Sequence, residues 1–282
     1  MFFLIKTKKI IYLRLSKDAF FFTSSYMNNL LQVKNLYFKY GETTVLENIS
    51  FSLNPGQIIG ILGPNGSGKT TLLLCLSGFL KNYQGKILIQ NKNLKQMPFK
   101  LRAKTINLVQ QNPYFPNIET FTYLLWARFP YLKFLSSYGK VEKNIVLKKA
   151  KQTKVEQFLT KSLKSLSGGE QKRILLTKSL IQDTAILLFD EITSNLDPQI
   201  NMQFLQIIKH ISKKGKGLIL SLHDLNLAAI LCPYLIFLKQ GKIVAKGPTK
   251  EVFNSQILEQ VYETSFTVFQ HPKKNIPQAV LC

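Results

Sequence analysis

Gly63-Pro64-Asn65-Gly66-Ser67-Gly68-Lys69-Thr70 has the spacing G-x-x-x-x-G-K-[S/T]. Chemistry on phosphate needs these residue types in this order. Glycines let a backbone wrap closely and aim its N–H groups at phosphate oxygens. A lysine at position 69 can reach the β- and γ-phosphates of a nucleotide, and the Thr70 hydroxyl can ligate Mg²⁺. Much later the chain reads Leu166-Ser167-Gly168-Gly169-Glu170-Gln171. Ser167 suits a helix N-cap, and a helix start attracts anions.

A phosphate loop works only between a strand and a helix, and both are predicted. Gln57 to Leu62 is a short apolar run bounded by Asn54-Pro55-Gly56 and reads as a buried strand. Thr70-Thr71 to Leu76 follows without a breaker and reads as a helix, whose N-terminus adds a positive end. A chance glycine turn would lack this setting.

Three more apolar runs end in polar groups. Ala185 to Phe189 closes on Asp190-Glu191, Leu218 to Leu222 on His223, and Thr105 to Val109 on Gln110-Gln111. Alone, an acidic pair at a strand end is a plain sheet-edge feature. Behind a phosphate loop it reads as functional. Of three histidines, only His223 sits at a strand end in register with the acidic pair; His210 and His271 do not.

With these motifs the chain resembles the nucleotide-binding subunit of an ATP-binding cassette (ABC) transporter, from about Leu30 to the C-terminus. The resemblance implies an α/β fold: a P-loop NTPase (RecA-like) core with an antiparallel β layer and a helical lobe inserted at about 112–166. It implies an ATPase whose cofactors are ATP and Mg²⁺. Gly63, Pro64, Asn65, Gly66, Ser67, Gly68, Lys69, Thr70 and Thr71 would hold the nucleotide. Mg²⁺ would fall to Thr70, Gln111 and Asp190. Glu191 would polarise the attacking water, and His223 would act as the switch histidine on the γ-phosphate. Gln111 is similar to the glutamine that moves with the membrane part, with Gln110 as its competitor. Tyr40, before Gly41, resembles the aromatic that stacks on adenine, with Tyr37 as its competitor. Ser167, Gly168, Gly169, Glu170 and Gln171 resemble the signature that faces the nucleotide of a second subunit, which implies a head-to-tail homodimer. Ser194, Asn195, Leu196 and Asp197 resemble the D-loop that links the two sites. The family usually has Pro after the catalytic Glu. Here it is Ile192, which changes only the stiffness of a turn.

Three stretches narrow the resemblance. Arg128-Phe129-Pro130-Tyr131, His223-Asp224-Leu225-Asn226-Leu227-Ala228-Ala229, and Gly247 to Tyr262 are similar to importers of iron-siderophore, haem and vitamin B12. Each alone could be helix packing. Together they imply the energy-coupling subunit of a metal-chelate importer. Its partners would be two membrane permease subunits and, indirectly, a substrate-binding protein. Its place would be the cytoplasmic face of the inner membrane. Ferric chelate ranks first as cargo, with haem, cobalamin, zinc and manganese as alternatives. The specificity lies in other subunits.

Composition bounds the rest. The chain has 282 residues and 45% apolar content, enough for a substantial core. No apolar stretch approaches the length of roughly 18 residues that a spanning helix needs, so a soluble chain is expected. Cys75, Cys232 and Cys282 show no ligand spacing, which suits a reducing cytosol. The net charge of +23 raises the question of nucleic acid. Arg, however, occurs only at Arg14, Arg102, Arg128 and Arg173, and the Lys are scattered. A lysine-rich composition explains the charge better than nucleic-acid binding does, with attraction to an anionic membrane as a side effect. A soluble ABC protein acting on DNA or ribosomes is the rival class. It usually carries a coiled-coil insertion or two cassettes, and neither is present.

Along the chain, residues 1–26 are expected to be an extension, with the native start at Met27, and 27–282 the ATPase domain. Leu31-Gln32-Val33, Ile49 to Leu53 and Lys86 to Ile89 predict the antiparallel layer. A helix is predicted from Val141 to Leu159 and another from Pro198 to about Lys213. Tyr234 to Leu238 and Lys242 to Ala245 predict a hairpin around Gln240-Gly241.

Overall fold

The computed structural model describes residues 29–192, 198–272 and 274–282. The expected extension 1–26 and the D-loop residues Ser194, Asn195, Leu196 and Asp197 lie outside them.

The chain opens with a long antiparallel pair, β1 (Leu31–Tyr40) and β2 (Thr43–Leu53), and then enters the core through β3 (Ile58–Leu62) and α1 (Lys69–Ser77). It returns to the first layer in β4 (Gln84–Ile89) and β5 (Lys92–Asn93). Helix α2 (Phe99–Thr105) leads into β6 (Ile106–Val109). The helical lobe holds α3 (Thr120–Leu125), a 3₁₀ turn at Trp126–Tyr131, α4 (Lys140–Thr153) and then α5 (Gly168–Gln182). The core resumes with β7 (Ile186–Asp190), α6 (Pro198–Lys213), β8 (Gly217–Ser221), α7 (Leu225–Leu231), β9 (Tyr234–Lys239) and β10 (Lys242–Pro248). Helices α8 (Thr249–Val252) and α9 (Ser255–Tyr262) and a hairpin of β11 (Phe266–Gln270) and β12 (Pro277–Leu281) end it.

Two sheets carry the fold. A four-stranded antiparallel sheet runs β2-β1-β4-β5, and a six-stranded sheet runs β10-β9-β3-β8-β7-β6. In the larger sheet only the β9–β10 pair is antiparallel. Its central strands are apolar up to their carboxyl ends because both faces are covered, and their side chains alternate between two cores. Ile58, Leu62, Leu187, Phe189, Leu218 and Leu220 face the core under the helical side. Ile59, Ile61, Ile186, Leu188 and Ile219 face the core shared with α1 and the antiparallel sheet. Shifting a strand by one residue would exchange its two faces, so the register is firmly set.

The structure corrects three boundaries. The predicted 141–159 helix starts at Lys140 and stops at Thr153, because Lys154 takes a left-handed conformation (φ 55°) and turns Val155 and Phe158 into the core. The strand before His223 ends at Ser221. Thr105 belongs to α2 rather than to the strand before Gln111.

The Arg128–Tyr131 run has a local role. Arg128 Nη1 donates to Ile181 O at 3.0 Å, and the Tyr131 hydroxyl donates to Gln182 O at 2.8 Å. The guanidinium lies 3.6 Å from the Tyr131 ring centroid. Together they satisfy carbonyls left over at the end of α5, where a cation is favoured.

Lys178 on α5 lies 3.6 Å from the Tyr123 ring centroid, and burial pushes its amine down to about 8. Its ordinary value is 10.5, so between those limits the unfolded chain holds a proton that the folded chain has released. Stability from this residue therefore rises as pH rises through that window. Lys178→Met is expected to raise the Tm at pH 7 and to lose much of that advantage by pH 10. Equal gains at both pH values would show that Lys178 carries no burial cost.

Candidate active site

The phosphate loop joins β3 to α1 at the carboxyl end of the larger sheet. Open α/β sheets build their ligand sites on that edge. A Cβ on Gly63 (φ 154°) would meet Leu238 O at 2.1 Å, so the loop can approach β9 only as glycine. The turn at Gly241 braces it, with Gly241 N–H donating to Ser67 O at 3.1 Å and Glu47 N–H donating to Gly241 O at 2.8 Å. Lys69 Nζ donates to Gly63 O at 2.8 Å and to Pro64 O at 3.1 Å, which holds the amine at the loop's centre. Burial pushes this amine below the usual lysine range, and the Glu191 and Asp190 carboxylates pull it back.

Those carboxylates end β7, two strands away in the same sheet. Asp190 is buried, and Ser221 Oγ at the end of β8 donates to its Oδ1 at 2.6 Å. The same Oγ accepts from Glu191 N–H at 3.0 Å. Glu191 sits at φ 49°, a region that suits few residues other than glycine or asparagine. Strain of this kind persists where the surroundings over-determine a backbone, often at functional sites. Here Gln111 Nε2 donates to Glu191 Oε2 at 2.5 Å, and His223 Nε2 pairs with Oε1. The carboxylate is thus gripped on both oxygens, from the ends of β6 and β8.

A cleft of about 370 Å³ is lined by Val45, Asn65, Gly66, Ser67, Gly68, Lys69, Thr70, Thr71 and Glu191. Gln111 reaches Glu191, whereas Gln110 lines a separate groove with Phe79, Phe99, Arg102 and Gln182. Tyr40 ends β1, 49% exposed, with its ring edge-on to Phe38 at 4.8 Å, while Tyr37 lies partly buried in the strand. Ser167 caps α5 in a reciprocal pair: Glu170 N–H donates to Ser167 Oγ at 3.3 Å, and Ser167 N–H donates to Glu170 Oε2 at 2.8 Å. That second bond holds the Glu170 carboxyl below its usual range. Gln171 Nε2 donates to Leu163 O at 3.2 Å. Gly168 is exposed, with open space where a Cβ would point, and Gly169 is partly buried beside it. Among the described residues that line the cleft, none comes from 167–171.

The groups near the cleft that could share a cation offer oxygen: the Thr70 hydroxyl, the Asp190 carboxylate and the Gln111 amide. Hard oxygen donors suit Mg²⁺ shared with phosphate. Among the described residues no three His, Cys, Asp or Glu are placed to hold a metal by themselves.

Sequence reasoning missed three supports. Ser221 joins Asp190 to Glu191, yet a serine ending a strand gives no signal. Val45 closes the cleft from β2. Asn226, the second residue of α7, donates from Nδ2 to Ala279 O at 3.0 Å and accepts from Ala279 N–H at 2.8 Å. It therefore clamps β12 beside the helix that follows His223.

This arrangement defines a P-loop nucleoside-triphosphatase cassette. The family model described as ABC transporter matches residues 46–194. The chain is 32% identical over 252 residues to the ferric enterobactin transport ATP-binding protein of Escherichia coli (strain K12), covering 89% of this chain and 93% of that protein. It is 33% identical over 260 residues to the hemin import ATP-binding protein of Pseudomonas aeruginosa, covering 89% and 99%. Among solved structures, an inward-facing putative metal-chelate type ABC transporter superposes with TM-score 0.79 at 23% identity, covering 91% of this chain and 98% of that one. A dimeric bacterial ABC transporter cassette superposes with TM-score 0.70 at 26% identity, covering 77% and 98%. The chain belongs to the ABC transporter family. It is an ATP-binding subunit with ATPase activity.

Asn226→Ala removes both bonds to Ala279 at once. The expected cost is about 1–2 kcal/mol, read as an earlier midpoint in urea unfolding. An unchanged midpoint would mean that the hairpin is held by its apolar contacts alone.

Proposed function

We propose that this protein is the energy-coupling ATPase of a metal-chelate importer, with ferric siderophore as the first-ranked cargo. The observation that carries the reading is the convergence of Lys69, Asp190, Glu191, Gln111 and His223 on one cleft in a chain whose relatives are named for iron-chelate and hemin import.

Lys69 holds the β- and γ-phosphates from the loop's centre. Tyr40 stacks on the adenine. Glu191 orients and polarises the attacking water, and its grip by Gln111 and His223 keeps the carboxylate aimed. His223 also contacts the γ-phosphate. Gln111 gives an N–H to Glu191 and keeps its carbonyl oxygen for a cation. Mg²⁺ held by Thr70, Asp190 and Gln111 would neutralise charge on the phosphates. Positioning and fixed charge supply most of the rate.

Two copies assemble head to tail. The loop of one and the Ser167–Gln171 helix start of the other enclose each ATP, and the D-loop residues Ser194–Asp197 link the sites. The exposed, capped start of α5 supports this reading, since the cleft in one copy lacks that wall. The groove lined by Phe79, Phe99, Arg102, Gln110 and Gln182 fits a segment of a membrane permease. No helix among the described residues is long and apolar enough to cross a membrane. In this reading, supported by the relatives' import roles, the protein works as a peripheral subunit on the cytoplasmic face of the inner membrane, with two permease subunits and indirectly a substrate-binding protein. Nucleic acid has no part in it.

Glu191→Gln is expected to bind ATP and accumulate as a dimer on gel filtration. A monomer under saturating ATP would count against the head-to-tail assembly. Uptake of labelled ferric chelate in native cells is expected to collapse with Lys69→Ala. If uptake persists while ATP turnover is lost, the cargo is another one, with haem, cobalamin and divalent metals tested next.

A further inference from the structure

The two most exposed large apolar side chains among the described residues are neighbours. Phe134 is 90% exposed and Leu135 is 91% exposed. They form the tip of a tight turn in the helical lobe, closed by Ser136 N–H donating to Lys133 O at 3.2 Å. Leu135 is the third residue of that turn, at φ 59°. Turns of this shape favour glycine or asparagine there, because a Cβ is crowded. The sequence instead places a leucine there and points it at water, so neither local folding nor burial accounts for it.

The surroundings are basic and firmly built. Lys133 lies in the turn, Lys140 starts α4, and Lys100 Nζ donates to Leu132 O behind it. Lys104 lies 4.9 Å from the Tyr131 ring centroid, at the root of the loop. Phe129 and Phe99, elsewhere in this part of the fold, are also exposed. The nearest acid in sequence, Glu142, is engaged with Gly139 N–H at 3.1 Å, and Asp183, close to Tyr131 and Arg128 at the loop's root, is paired with Lys216 at 2.6 Å. Arg128 and Tyr131 anchor the loop's root to the end of α5, which also walls the groove proposed for the permease.

We propose that the 132–136 turn inserts Phe134 and Leu135 into the headgroup region of an anionic bilayer, with the surrounding lysines facing acidic lipid. An exposed tip carrying apolar side chains, with Lys133 in the turn and Lys100 and Lys104 at its root, fits an interface of lipid and water. A protein helix is recognised by a groove, and the groove stands beside the turn. This contact holds the cassette against the membrane in addition to the permease. Only the turn's orientation toward the membrane rests on the permease reading.

The test is co-sedimentation of the purified full chain with vesicles of phosphatidylcholine alone or of phosphatidylcholine with phosphatidylglycerol. Binding is expected only to the acidic vesicles, falling as salt rises. The double variant Phe134→Ser, Leu135→Gly keeps every lysine and is expected to bind several-fold more weakly, with ATP turnover unchanged. Leu135→Gly alone relieves the strained position, so its Tm is expected to be no lower than that of the parent. Equal vesicle binding by parent and double variant would overturn the proposal and assign the attraction to lysine charge elsewhere in the chain. Absence of binding to either vesicle would overturn it as well. If the double variant loses transport while vesicle binding is intact, the turn contacts permease protein instead. Failure of ferric-chelate uptake to depend on Lys69 would leave the vesicle result standing, because no permease or cargo is present in the assay.

Discussion

The burial of Lys69 is the constraint on which the site depends. An ammonium taken out of water is costly unless opposite charge stands nearby. The loop carbonyls of Gly63 and Pro64 satisfy its donors, but only Asp190 and Glu191 offset its charge. Those carboxylates must in turn be held. Ser221 ties both to β8, while Gln111 and His223 grip Glu191 from β6 and β8. The parallel order β3-β8-β7-β6 brings all four strand ends to one edge, which places the members of the charge network within reach of one another.

Legibility in the sequence followed burial. Strands β3, β7 and β8 are buried at every position because both faces are covered, and apolar up to the Asp190 and Ser221 that end β7 and β8, so their runs stand out between breakers. Pro198 at the first turn marked α6, and its end at Lys213 matched the expectation. The pairing of Gln111 with Glu191 could not be read from residue types, because Gln110 offers the same amide one place earlier. Geometry separates the two, since successive residues leaving a strand point to opposite sides.

What stayed hidden is held by few or scattered buried residues. Residues 30–53 read as short strands such as Leu31-Gln32-Val33, whereas β1 runs unbroken to Tyr40, with Asn35 at φ 46° shifting the register within it. The β11–β12 hairpin buries chiefly Phe266 and Ala279 and borrows its remaining order from Asn226, a partner far away in sequence. Asn226 was legible as part of a family-like run, but its work lies in a contact that no spacing reveals.

Helix α5 shows why the Arg128–Tyr131 run matters beyond recognition of a family. It starts at the capped, exposed Ser167 and ends at Gln182, about 22 Å away at 1.5 Å per residue. Its first turn is stiffened by the Ser167–Glu170 pair, and its last carbonyls are tied to Arg128 and Tyr131. Gln182 also donates to Ala103 O at 2.8 Å and lines the groove. One rigid rod therefore reaches from the surface proposed to meet a second copy to the surface proposed to meet the permease. In this fold the surface proposed to meet a second copy and the surface proposed to meet the permease lie at opposite ends of one helix, so neither can be built without the other.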